Sequence, residues 1–232
     1  KGRWEPFLSR MGSPDLATES PMPDLSLELG LQQRGYRLVA GVDEVGRGPL
    51  AGPVVSAAVI LPPDLTGDEP WLKFLEDSKT LTRPRRELAA QAVRHHALAV
   101  GIGQCSHEEI DEIGIGQASI QAMMRAVADL PVQPGHLLLD FVPIRQCPLP
   151  FQAIVKGDSI SYPIAAASNV AKVLRDSWMQ DADITFPGYS FAQNKGYPTA
   201  DHRSKLLELG PCTIHRRSFG PVREAVQLWG MT

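Results

Sequence analysis

The chain has 232 residues, of which 43% are hydrophobic and 21% charged, with 20 Gly and 20 Pro. This composition excludes a wholly disordered or collagen-like chain and fits one large folded domain or two small ones. A net charge of −3 excludes a broadly basic nucleic-acid coat but leaves room for a local basic surface. Cys105, Cys147 and Cys212 are far apart with no C-x-x-C, which argues against a disulfide scaffold or a cysteine-built zinc site. No apolar run approaches the roughly 18 residues of a spanning helix and no leader pattern opens the chain, so it reads as soluble and cytoplasmic, with no membrane partner.

Residues 1–35, with Ser13-Pro14 and Ser20-Pro21-Met22-Pro23, show no sustained apolar period and read as a loose extension. From Tyr36 the pattern tightens into one folded domain, 36–232. Arg37–Val42 is a short apolar run ending at Asp43, and Val54–Leu61 is a β-branched run stopped by Pro62-Pro63. Both read as buried strands. A helix is expected from Pro84 to about Ala97, then a strand over 97–103. Ser106 and Glu109 fit a capping box opening a short helix, and Gln117–Leu130 sets Ile120, Met123, Met124 and Val127 on one helical face. His136–Leu139 leads into Asp140, and Phe151–Val155 runs almost directly into Asp158. Helices are expected over Ile164–Met179, from Thr199 to Gly210, and over Pro221–Trp229. Strands interleaved with helices make an α/β fold with a mixed sheet.

Acidic residues stand where these strands are expected to end: Asp43 and Glu44, Asp140, and Asp158. Each alone reads more readily as a turn or cap residue. Together, if the strand ends share one edge, four carboxylates would repel one another until a cation neutralised them, and an all-oxygen set suits Mg²⁺ or Mn²⁺. Two such ions can serve phosphodiester hydrolysis. Charge counts agree: residues 41–80 hold seven acidic and three basic side chains, and residues 191–232 hold six basic and three acidic.

Gly46-Arg47-Gly48 follows the acidic pair. A dinucleotide fingerprint would need a helix next, but Pro49 and another strand follow, so the glycines are read as admitting a ligand close to the backbone, with Arg47 in reach of a phosphate. Tyr197, held between Gly196 and Pro198, is presented for stacking on a sugar or base. Asp77-Ser78-Lys79 offers phosphate donors before a helix. His95-His96 has no suitable third ligand, and His215-Arg216-Arg217 reads as basic surface.

Gly41-Val42-Asp43-Glu44-Val45-Gly46-Arg47-Gly48-Pro49-Leu50-Ala51-Gly52-Pro53-Val54 resembles the signature opening of bacterial ribonuclease HII, the type 2 ribonucleases H. The resemblance continues, in order, through Asp77-Ser78-Lys79, Val155–Ser159, Ala171–Asp176, Lys195–Thr199 and His215–Phe219. It implies a ribonuclease H-like fold, a central mixed β-sheet flanked by helices with a C-terminal helical extension. It further implies that Asp43, Glu44, Asp140 and Asp158 are the catalytic metal ligands, with two Mg²⁺ or Mn²⁺ ions in the active complex. Gly46, Arg47 and Gly48 would contact the ribose 2′-hydroxyl, Tyr197 the sugar 3′ of it, and Ser78, Lys79 and Lys172 would also bind substrate. The implied substrates are RNA–DNA hybrids and duplex DNA with embedded ribonucleotides, cut by a monomer to leave 5′-phosphate and 3′-hydroxyl ends. Three positions depart from the family: Phe141-Val142 stand for Gly-Asn, Asn194 for His and Asn169 for Ile. The rival readings are another two-metal nuclease or phosphotransferase, and a catalytically silent hybrid-binding module.

Overall fold

The computed structural model describes residues 22–75, 82–141, 144 and 147–230. Helix α1 (Ser26–Gln33) precedes strands β1 (Val39–Val45) and β2 (Val54–Ile60), helix α2 (Arg83–His96), strand β3 (Ala99–Cys105) and helix α3 (His107–Ala128). Strands β4 (His136–Asp140) and β5 (Phe151–Ile154) follow, then helices α4 (Tyr162–Thr185), α5 (Phe191–Asn194), α6 (Ala200–Leu209) and α7 (Gly220–Leu228). The sheet order is β3-β2-β1-β4-β5. Strand β1 is antiparallel to β2 and parallel to β4, and β4 is parallel to β5, so the sheet is mixed as expected.

Both faces of the sheet are covered, which is why the strands read as nearly continuous apolar runs. Ala57 and Val59 pack with α2 and α4 on one face; Ala58 and Ile60 pack with Met123, Ala126 and Val127 of α3 on the other. The small residues Ala165, Ala166, Ala167 and Ala171 bring α4 close against β1 and β2. Ser106 and Glu109 do form the reciprocal capping box, and the two helices expected over 106–130 form one element kinked at Gly114. At the C-terminal side, Leu50, Leu206, Val222 and Ala225 form a small core that fastens α6 and α7 to the loop after β1.

Two expectations are corrected. Strand β1 does not stop before Asp43 but runs through it and Glu44 to Val45, held by pairing with β2. Residues 26–33, expected to be loose, form α1: Leu25 and Leu31 are buried, and Asp24 pairs with Ser161. Residues 1–21 of that stretch lie outside the described residues. Among the described residues no helix is long and apolar enough to cross a membrane.

Candidate active site

Because β1, β4 and β5 run parallel, their carboxyl ends share one edge of the sheet, and the acids collect there. Asp43 is 7% exposed, and its carboxylate accepts the Glu44 amide at 2.7 Å. Asp140 ends β4, and its Oδ1 accepts the Gly157 amide at 2.8 Å, tying the strand end to the 3₁₀ turn Gly157–Ser159 that carries Asp158. The chain turns sharply beside both acids. Phe141 (φ +56°) follows Asp140, and Lys156 (φ +57°) precedes the turn, each in the left-handed region at a cost of about 1 kcal/mol for a residue with a side chain. The glycine that the family carries after this aspartate would adopt that conformation without the cost.

A cleft of ≈ 370 Å³ opens beside the edge, lined among others by Glu44, Asp158, Ser168, Asn169, Lys172 and Tyr197. Its acids repel one another. Burial, then the charges of Glu44 and Asp140, push the Asp43 carboxyl well above the usual carboxylate range. Burial and Asp140 push Glu44 up to about 7, although Arg47, 3.2 Å away, opposes them. Glu44 Oε2 is buried with no hydrogen-bond partner among the described residues. Crowded, mutually repelling oxygen donors with an unpartnered oxygen fit a hard divalent cation. Among the described residues, however, no group of three or more His, Cys, Asp or Glu side chains is arranged to hold a metal ion as it stands. Glu44 and Asp158 line the cleft, and Asp43 and Asp140 stand within charge contact of one another, without forming a closed cage.

The glycine turn and the tyrosine loop meet across this cleft. Leu50 N donates to Gly196 O at 2.7 Å, joining the two loops directly. Gly46 has φ +98°, and a Cβ there would collide with the Arg175 side chain. A Cβ on Gly48 would lie 3.6 Å from Tyr197 Cε1, so its absence leaves the slot between turn and ring open. Tyr197 is 37% exposed. Lys172 lines the cleft with its Nζ 2.7 Å from Asp176. Ser78 and Lys79 lie outside the described residues. Of the departing residues, Asn194 takes the Gly196 amide at 2.7 Å and shapes the turn before Tyr197. Asn169 spends its amide on Ala165 O, leaving its own Oδ1 buried and without a hydrogen-bond partner among the described residues.

The residues that hold this geometry are ones the sequence conceals. Arg216, expected on a basic surface, is 0% exposed and donates to the carbonyls of Gly46, Arg47, Pro49 and Gly52 at 2.7–3.2 Å. Arg175 does the same for Ala51, Pro53 and Lys195, so one guanidinium grips both loops. The neighbour His215 is also buried, at 1%. Its Nδ1 accepts the Cys212 amide at 3.0 Å, so the neutral ring donates from Nε2 to His202 Nε2 at 3.1 Å. His202 then donates from Nδ1 to the Tyr197 carbonyl at 2.9 Å. Burial pushes His215 down to about 3, which keeps this relay neutral. Residues 214–216 are paired against 50–52, which explains how distant segments meet.

Comparison with known proteins agrees with this arrangement. The family profile of ribonuclease HII matches residues 40–222. Ribonuclease HII from Myxococcus xanthus is 48% identical over 205 residues, covering 88% of this chain and 68% of the relative. The enzyme of Geobacter metallireducens is 50% identical over 196 residues, covering 84% and 90%. In fold, the chain is similar to the crystal structure of ribonuclease H2 from Pyrococcus horikoshii, with TM-score 0.70 at 22% identity over 84% of this chain and 100% of the other. It is also similar to Bst-RNase HIII solved in complex with Mn²⁺, with TM-score 0.60 at 17% identity over 86% and 72%. A mixed sheet gathering acids at one edge, a glycine turn locked against a tyrosine loop and near 50% identity over most of the chain lead to one conclusion: the chain belongs to the ribonuclease HII family, endoribonucleases that cleave RNA in RNA–DNA hybrids, including ribonucleotides embedded in DNA.

Proposed function

We propose that Asp43, Glu44, Asp140 and Asp158 hold Mg²⁺ or Mn²⁺, two ions in the working complex, and that the glycine turn with Tyr197 chooses the bond to be cut. Glu44 carries this reading: a buried carboxylate pushed up to about 7, with one unpartnered oxygen, in a cleft it shares with Asp158. Divalent ions there would offset the carboxylates, acidify a water and stabilise the departing 3′-oxygen. The remaining work belongs to the chain. The backbone of Gly46, Arg47 and Gly48 approaches the ribose 2′-hydroxyl, the group by which a protein tells RNA from DNA at one site. The Tyr197 ring, across the slot from Gly48, packs on the next sugar in the 3′ direction and favours deoxyribose there. Lys172, with Ser78 and Lys79, holds phosphates. The cut falls 5′ of an embedded ribonucleotide and leaves 5′-phosphate and 3′-hydroxyl ends. One chain carries the whole carboxylate set, so we read it as acting alone, and its three free cysteines suit the cytoplasm.

The test is cleavage of end-labelled duplex DNA carrying one ribonucleotide, in Mg²⁺, Mn²⁺ or EDTA, with all-DNA duplex as control. The expected product is a metal-dependent cut 5′ of the ribonucleotide. Cleavage that persists in EDTA would remove the carboxylates from this role. Tyr197→Ala should lose about tenfold of its preference for the junction over long hybrids, the scale of one lost stacking contact. An unchanged preference would take Tyr197 out of the reading.

A further inference from the structure

A second cleft, ≈ 190 Å³, lies between α2 and α4 beside the cleavage cleft. Its lining includes Arg83, Arg86, Arg94, Asp176, Ser177 and Gln180, and Arg86 lines the cleavage cleft as well, so the two are continuous. The acidic side chains in it are neutralised in place: Glu87 by Arg83 at 2.9 Å and Asp176 by Lys172 at 2.7 Å. The balance of charge is therefore positive. Gln180 Oε1 accepts from Arg83 at 3.0 Å and holds that guanidinium in place. Guanidinium groups and a hydroxyl around one concavity match a tetrahedral, acceptor-only anion.

We infer that the α2–α4 cleft is a phosphate subsite, which takes a backbone phosphate of the substrate duplex outside the bond being cut. This rests on the nucleic-acid substrate proposed above and extends its footprint past the cleavage cleft. Arg86 bridges the two, Arg94 acts only in the subsite, and Gln180 positions Arg83 there.

The experiment measures KM and kcat on the single-ribonucleotide duplex from 50 to 200 mM salt, for wild type, Arg94→Gln and Gln180→Glu. The Gln180 change keeps the shape and the acceptor for Arg83 but neutralises that guanidinium with a negative charge at the cleft. Each variant should raise KM about tenfold with kcat unchanged. The slope of log KM against log salt should fall by about one in each, the loss of one phosphate contact. Duplexes shortened stepwise from either end supply the second readout. Below one flank length wild type should rise to the variants' KM, while the variants do not change. Variants with wild-type KM and salt slope, or a KM difference independent of duplex length, would overturn the subsite. A wild-type protein that cleaves none of these duplexes would instead overturn the function on which it rests.

Discussion

The molecule buries two groups of charge, the arginines behind the glycine turn and the acids at the sheet edge, and treats them oppositely. On the recognition side, Arg175 and Arg216 are fully buried, yet their guanidinium groups are spent on backbone carbonyls of the two loops they join. On the sheet edge, Asp43 and Glu44 are buried among like charges, and a Glu44 oxygen has no hydrogen-bond partner among the described residues. The satisfied charges hold a shape. The unsatisfied ones store an affinity for whatever neutralises them, and that is where chemistry is expected.

Three substitutions would break or sharpen this contrast. Asp43→Asn removes a like charge from the edge, so the metal-free protein should melt at a higher temperature while activity falls by about 10³-fold, ≈ 4 kcal/mol in the barrier. Loss of activity together with loss of stability would mean that Asp43 is structural. Arg216→Met does the reverse, removing the donor that holds the carbonyls of Gly46, Arg47, Pro49 and Gly52. It should cost about 3–5 kcal/mol in urea unfolding. Lys should not rescue it, because one ammonium cannot span the positions the guanidinium fork reaches.

The smallest effect concerns Glu28, behind the acidic edge on α1, which is 5% exposed and accepts from Ser161 Oγ at 2.5 Å. Burial, aided by Asp24, pushes it up from 4.5 to about 7. Below about 4.5 both folded and unfolded chains keep the proton, so nothing is lost. Between 4.5 and 7 only the unfolded chain releases it, so stability falls as pH rises through that window and stays low above it. Glu28→Gln keeps an acceptor for Ser161 and cannot ionise. Its stability should match wild type below about pH 4.5 and exceed it by about 3 kcal/mol above pH 7. A gap that does not change with pH would show that Glu28 never carries the charge.

The same contrast decides what was legible in the sequence. The acids stand next to apolar runs, a local pattern, and the parallel pairing of β1, β4 and β5 turns it into one edge. The capping box of α3 and the Thr199 cap of α6 are equally local. Helix α1 was hidden because Leu25, Leu27, Leu29 and Leu31 recur at every second position, a strand-like spacing from which only Leu25 and Leu31 are fully buried. Arg216 and His215 were hidden for a different reason. Beside Arg217 they look like surface charge, and nothing local announces that their partners lie more than 160 residues earlier or form a relay through His202.

The Arg216 clamp also sets an order of events at the ribosome. Gly46 is made 170 residues before the side chain that fixes its loop. Chains grow at about 5–20 residues per second, so all four acids have been made while the glycine turn still waits for its clasp. Bringing segments so distant in the chain together is a slow, non-local step. A nascent or prematurely terminated chain can thus carry all four acids and still lack the clasp on its glycine turn.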